Sequence, residues 1–135
     1  MWQALIALVN LEEYDNRVAL RRVVAKKILK ACQDLPIKFL TEGLEDKWNV
    51  LFLPVLLSSD CAEEYVEWMM RHGFEVTRFN YRVPELIFYR QIFERLPGTK
   101  LICERLVCVP CTSRMNDRIF KFYKATRLFF QRGHS

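Results

Sequence analysis

The chain has 135 residues, 51% hydrophobic and 27% charged, with 4 Gly, 5 Pro and a net charge of +5. Those proportions exclude a disordered, collagenous or low-complexity chain and predict a single domain over residues 1–135 with one core. The apolar runs 4–9 and 51–57 fall far short of the ~18–20 residues of a membrane span, so no membrane partner is read.

No basic stretch precedes the first apolar run, as a secretory signal would need. The five cysteines are an odd number in a chain large enough to fold without staples. They read as reduced thiols of a cytoplasmic protein.

In chain order, one long helix is predicted over about 2–33. It contains no Gly or Pro, and Leu11, Tyr14, Val18, Ala25, Ile28 and Cys32 recur at three- and four-residue spacings. Its opening, from Trp2 through Leu5, Ile6 and Leu8 to Val9, is apolar on every side except for Gln3. A helix of that kind is expected to bury against something large. Two alternatives stand: a domain separated from its partner domain, or a terminus hidden in a homo-oligomer. Asp34-Leu35-Pro36 ends the helix.

A strand is expected at 48–53, bounded by a turn at 43–47 and by Pro54. Asp60 and Glu63 have capping-box spacing for a second helix. Its inner stripe is Cys61, Tyr65, Trp68, Met69 and His72, with Gly73 as its C′ residue. A second strand follows at 74–78. A loop at about 79–97 holds a short helix at 84–95, and a third strand at 106–109 stops at Pro110. The closing helix, about 115–131, is capped by Ser113 or Asn116 and turns Met115, Ile119, Phe122, Thr126, Phe129 and Phe130 inward. Helices alternating with short strands predict an α/β (α+β) layer domain.

Charge is concentrated in that last helix. Arg114, Arg118, Lys121, Lys124, Arg127 and Arg132 face only Asp117, and this accounts for the whole excess. A solvated face is the simpler reading. Nucleic-acid binding through this helix is the other, but single-strand binding wants exposed aromatics among the bases, and the Phe residues follow core spacing. In the first helix, Glu12, Glu13 and Asp15 precede Lys26, Lys27 and Lys30, in the order a helix dipole favours.

Cys103, Cys108 and Cys111 have a metal-like spacing, but no His is near and Cys32 and Cys61 are committed to helix stripes. Packed thiols are expected, with no metal. His72 suits a helix end and His134 lies in the tail. No catalytic triad, P-loop or dinucleotide fingerprint is present, so no catalytic or cofactor-binding residue is assigned. Glu63 and Glu64 read as solvent-facing. Polar and aromatic groups gather around the loop: Arg78, Asn80, Tyr81, Arg82, Glu85, Tyr89 and Arg90. They suit an anionic ligand or a partner's carboxylates, or a loop tied down by its own ion pairs.

Three phrases then add up. The stretch 8–29, the helix-to-strand phrase Arg71-His72-Gly73-Phe74-Glu75-Val76, and Leu96-Pro97 with Glu104-Arg105-Leu106-Val107-Cys108-Val109-Pro110 occur in that order. They resemble the C-terminal small domain of the DegT/DnrJ/EryC1/StrS family, pyridoxal-phosphate enzymes that mostly aminate keto sugars on nucleotide carriers. The resemblance implies a three-stranded, mainly antiparallel sheet with helices packed chiefly on one face. It also marks a departure: Asn80 and Leu86 stand where the family's active-site loop often carries histidines, while Tyr81 and Pro84 remain.

In the family, the imine-forming lysine, the carboxylate at the pyridine nitrogen and the phosphate-binding groups belong to a large domain. The matched region does not include that domain. The resemblance therefore implies no cofactor in this chain alone, and pyridoxal phosphate only with a large-domain partner. The expected role is a non-catalytic small domain that self-associates or docks on a partner. The alternative is a component that completes an active site built by such a partner.

Overall fold

The structure is a computed structural model describing residues 2–41, 50–78 and 97–133; the side chains of Leu5, Pro97, Thr99, Lys100 and Cys103 also fall outside the description. Its elements are α1 (Trp2–Glu12), α2 (Tyr14–Ala31), β1 (Ile37–Phe39), β2 (Phe52–Leu57), α3 (Ala62–Arg71), α4 (Pro97–Arg105), β3 (Leu106–Pro110), α5 (Ser113–Asn116) and α6 (Ile119–Gln131). The strands form one antiparallel sheet in the order β1-β2-β3. The expected architecture holds, although two of its strands come from other residues than expected.

The expected strand at 48–53 lies instead at Phe52–Leu57, with Pro54 inside it. Proline has no N–H to give, so a central strand normally excludes it. The register shows why it is tolerated. Pro54 faces Cys108 across β2 and β3, and Cys108 exchanges both its backbone bonds with Thr77 on the other side. Pro54 is thus at a non-hydrogen-bonded position toward β3. Toward β1 its carbonyl still accepts from Leu40 N–H at 3.1 Å, one residue past the end of β1. The missing donor falls where the β1 ladder stops.

Residues 74–78 form no strand of their own; they run along β3 and make a single bridge, Thr77 to Cys108. β1 was not legible, being three residues long and directly after Pro36. Neither was α4, whose opening Pro97-Gly98 reads as a break although Pro is welcome at the first helical position.

The predicted helix over 2–33 is divided at Glu13, where the backbone opens to ψ −4°. Glu13 N–H still reaches Val9 O at 3.3 Å, and Glu13 O accepts from Arg17 N–H at 3.0 Å. Every described side chain up to Arg17 is exposed, and burial begins at Val18. The departure thus lies where no packing holds the helix, and tertiary packing is what supplies most helix stability.

One core unites α2, α3 and α6 on a single face of the sheet. Val24 and Ile28 meet Leu53, Val55, Val107 and Val109, together with Tyr65, Met69, Phe122 and Phe129. Tyr65 is fully buried, and its hydroxyl hydrogen-bonds Thr126 Oγ1 at 2.9 Å. Trp68 Nε1 donates to Ala125 O at 2.9 Å. These two bonds fix the register of α3 against α6.

The helix caps differ from expectation. Asp60 does not cap α3: its carboxylate accepts from Arg105 Nε at 2.6 Å, and Cys61 holds the N-cap position without a side-chain bond. Neither Ser113 nor Asn116 caps the closing helix, which is split into α5 and α6 by a turn at 117–118. Asn116 instead accepts from Lys27 Nζ at 2.7 Å.

The C-terminal end of α3 does follow the expected pattern. Gly73 has φ +78°, Gly73 N–H bonds Met70 O, and Phe74 N–H bonds Met69 O at 2.9 Å. This is the Schellman pairing, with buried Phe74 and Met69 as its apolar contact. Arg118 completes it by donating from Nη1 to Gly73 O at 2.9 Å while its guanidinium lies 4.5 Å over the Phe74 ring.

Two predictions follow from this packing. A Cβ on Gly73 would adopt a left-handed backbone and meet Arg118 Nη2 at 3.2 Å. Gly73→Ala should therefore lower unfolding stability by roughly 1–2 kcal/mol, read from a urea midpoint; an unchanged midpoint would show that the turn relaxes freely.

The second concerns the buried thiols. Burial pushes Cys32 and Cys111 up to about 12 and Cys108 to about 11, from 9.0. Protons are held more tightly folded than unfolded. The stability these thiols contribute is therefore complete below about pH 9 and declines as pH rises through the 9–12 window. Iodoacetamide at about pH 8.5 should modify these three cysteines only after unfolding; native-state labelling at the rate of a free thiol would contradict it.

Candidate functional site

The first candidate surface is α1. Trp2 is 79% exposed and Leu11 73%, and Ile6, Leu8 and Val9 are exposed as well. Trp2, Ile6, Val9 and Asn10 line a shallow groove on one side, while Leu8 and Leu11 lie off that stripe. The backbone of Leu5 is part of the helix; its side chain is outside the described residues. An apolar helix exposed on more than one side has no partner face within the described part of the chain. The sequence expectation is that these side chains bury against something large; among the described residues they are exposed.

The second candidate is the loop that follows Arg78. Arg78 is half-buried, and its Nη1 lies 3.5 Å from Glu63 Oε2. The ion-paired reading therefore applies to this residue, and Glu63, though exposed, is engaged. Asn80, Tyr81, Arg82, Glu85, Tyr89 and Arg90 lie outside the described residues, as does the expected helix at 84–95. The described residues on either side are placed: Thr77 is bridged to β3, and α4 passes straight into β3 at Leu106.

Cys32, Cys61, Cys108 and Cys111 are buried free thiols. Among the described residues no three His, Cys, Asp or Glu gather as a metal would require. His72 ends α3 as expected, its Nδ1 2.8 Å from Trp68 O and its ring 4.2 Å from the indole.

Sequence reasoning missed two arginine roles. Arg118 closes the end of α3, and Arg132 lies 4.4 Å over the face of Trp68. Both had been counted only as surface charge; a cation pairs with an aromatic face through spatial proximity, which a periodicity pattern does not encode. The reading that the Phe residues follow core spacing fails at Phe120. It is 66% exposed, with Lys124 Nζ 4.5 Å from its ring centroid.

The lysines test whether the described residues fit pyridoxal phosphate. An imine-forming lysine needs a desolvated pocket or a neighbouring cation to lower its pKa. Lys26, Lys27, Lys30, Lys38, Lys121 and Lys124 are all exposed. None lines the small cleft among Phe74, Glu75, Thr112, Arg114 and Arg118 or the groove beside Trp68. These residues do not fit the cofactor.

Against known proteins, no curated sequence matches this chain. Among solved structures, it is similar to a Streptococcus pneumoniae protein described as a sugar aminotransferase in its PMP form. The TM-score is 0.75 at 11% identity, covering 95% of this chain and 35% of that one. The chain thus spans about a third of the length of that protein, and at such low identity the likeness concerns the fold. The model of the DegT/DnrJ/EryC1/StrS aminotransferase family matches residues 1–121. The chain therefore belongs to the DegT/DnrJ/EryC1/StrS aminotransferase family.

Proposed function

We propose that this chain acts as an aminotransferase-type small domain, non-catalytic on its own, that docks through α1 onto another polypeptide carrying the large-domain part. The uncovered apolar surface of α1 carries this reading. Burying side chains such as Trp2, Ile6, Leu8 and Val9 is worth roughly 1.5–3 kcal/mol each. A helix made of them gains most by finding a partner. Family membership and coverage of about a third of an aminotransferase chain support a large-domain polypeptide as that partner. Self-association of two copies through the same helix is the competing form of docking.

A second reading draws on the loop. With Arg78 placed at its start, residues 79–96 suit a component that completes a pyridoxal-phosphate site built by the partner. The large-domain chain would then hold the cofactor, since the described lysines do not.

Sedimentation of the full chain tests the docking. Without a partner, wild type should associate at tens of micromolar or above. Ile6→Ser with Leu8→Ser should be monomeric with a nearly unchanged unfolding midpoint, because both side chains are already exposed. A monomeric wild type whose Ser variant unfolds would place α1 in the chain's own core and overturn the reading. Borohydride reduction of the chain mixed with pyridoxal phosphate should leave no stoichiometric lysine adduct; a one-to-one adduct would show a cofactor lysine in this polypeptide.

A further inference from the structure

We infer that the outer faces of α2 and α6 form a second docking surface, separate from α1, for a protein partner that presents apolar side chains interspersed with carboxylates. The two helices lie side by side: Lys27 Nζ donates to Asn116 Oδ1 just ahead of α6, and Tyr123 OH donates to Asp34 Oδ2 just beyond α2, each at 2.7 Å. Neither residues 20–31 nor Ile119–Gln131 contain an Asp or Glu. They contribute exposed Lys26, Lys27, Lys30, Lys121, Lys124 and Arg127.

Three of these bases have neutral direct partners. Lys27 meets an amide, Lys124 an aromatic ring and Arg127 a phenol, Tyr123 OH at 3.3 Å. Two carboxylates share this network, Asp34 bonded by Tyr123 and Asp117 by Asn116 Nδ2, and they offset only part of the positive charge of the six bases. Exposed apolar groups lie among the cations: Leu20 and Val23 on α2, Phe120 and Leu128 on α6.

That mixture distinguishes the partner classes. A phosphate backbone would answer the lysines but leaves Leu20, Val23 and Leu128 unused, and one phenylalanine beneath its own lysine is no stacking platform. An anionic membrane calls for a broad apolar stripe, whereas four apolar residues are spread here over two helices. Protein interfaces combine aromatic and aliphatic anchors with a polar rim, and complementary charge steers and registers the encounter.

Fluorescence anisotropy of the full chain tests this. The probe is a labelled synthetic acidic helix, with leucine at every third or fourth position and glutamate elsewhere. The comparators are the same composition scrambled, a single-stranded DNA oligonucleotide, and phosphatidylcholine vesicles containing phosphatidylserine. The probe should bind saturably, about tenfold or more tighter than the scrambled peptide, and lose about tenfold in affinity with Phe120→Ser or with Lys124→Glu and Arg127→Glu together.

These side chains are exposed, so circular dichroism should show the variants folded. The Ile6→Ser, Leu8→Ser chain should bind as wild type does, which separates this surface from α1. Tighter binding of DNA or vesicles, no saturable binding of the probe, or affinity indifferent to Phe120, Lys124 and Arg127 would each overturn the inference.

Discussion

The hydrogen bond between Tyr65 and Thr126 is the constraint on which the rest of the described structure depends. A phenol buried completely must keep a partner, because an unsatisfied buried hydroxyl costs about 1–3 kcal/mol. Thr126 is just as deeply buried, so each hydroxyl satisfies the other and α3 can meet α6 at only one register. Phe129 and Phe130 pack edge-on and stacked against the same ring. With α3 fixed, its last turn falls beside Arg118, the chain reverses at Gly73, and Thr77 arrives at the free edge of β3. The position of Arg78, and so the start of the loop it opens, is set by two hydroxyls in the core.

What the sequence made legible follows the range of the forces involved. Periodic burial predicted α2, α3 and α6, because a stripe such as Tyr65 and Met69 repeats within one helix. The positive φ at Gly73 was legible for the same reason, being a local demand of a helix end. Pro54 was misleading because its tolerance depends on which neighbour its missing N–H would have faced, and that is set by Cys108 and Thr77 far along the chain. Asp60 offered a cap by spacing, yet Arg105 claimed its carboxylate from another element. For the candidate site, the apolar turn holding Trp2, Ile6, Leu8 and Val9 was legible, but what it would pack against was not, because periodicity within one helix carries no information about another surface. The exposed Phe120 was not, since an aromatic residue one place off the inward stripe looks like part of the core until the helix is oriented.

Family membership gives the apolar helix a physical context. The family match covers α1 together with the rest of residues 1–121, while the exposed apolar side chains of α1 stay outside the core of the described residues. The body that α1 leaves behind is self-consistent: among the described residues no buried side-chain nitrogen or oxygen lacks a partner. Such a domain does not need α1 to hold its own core together. The exposed apolar side chains of α1 are therefore not claimed by the described core.

The junction of α4 with β3 has a consequence of another kind. Arg105 ends the helix and Leu106 begins the strand, with no residue between them, and Arg105 is pinned to Asp60 Oδ1 and Ser58 O. At the other end, Thr77 is held to Cys108 of that same strand. Both anchor points of the intervening segment are therefore set by one strand, and the span between them is fixed by the scaffold. A displacement of either Thr77 or Arg105 is therefore passed to β3 directly, with no flexible residue between to absorb it.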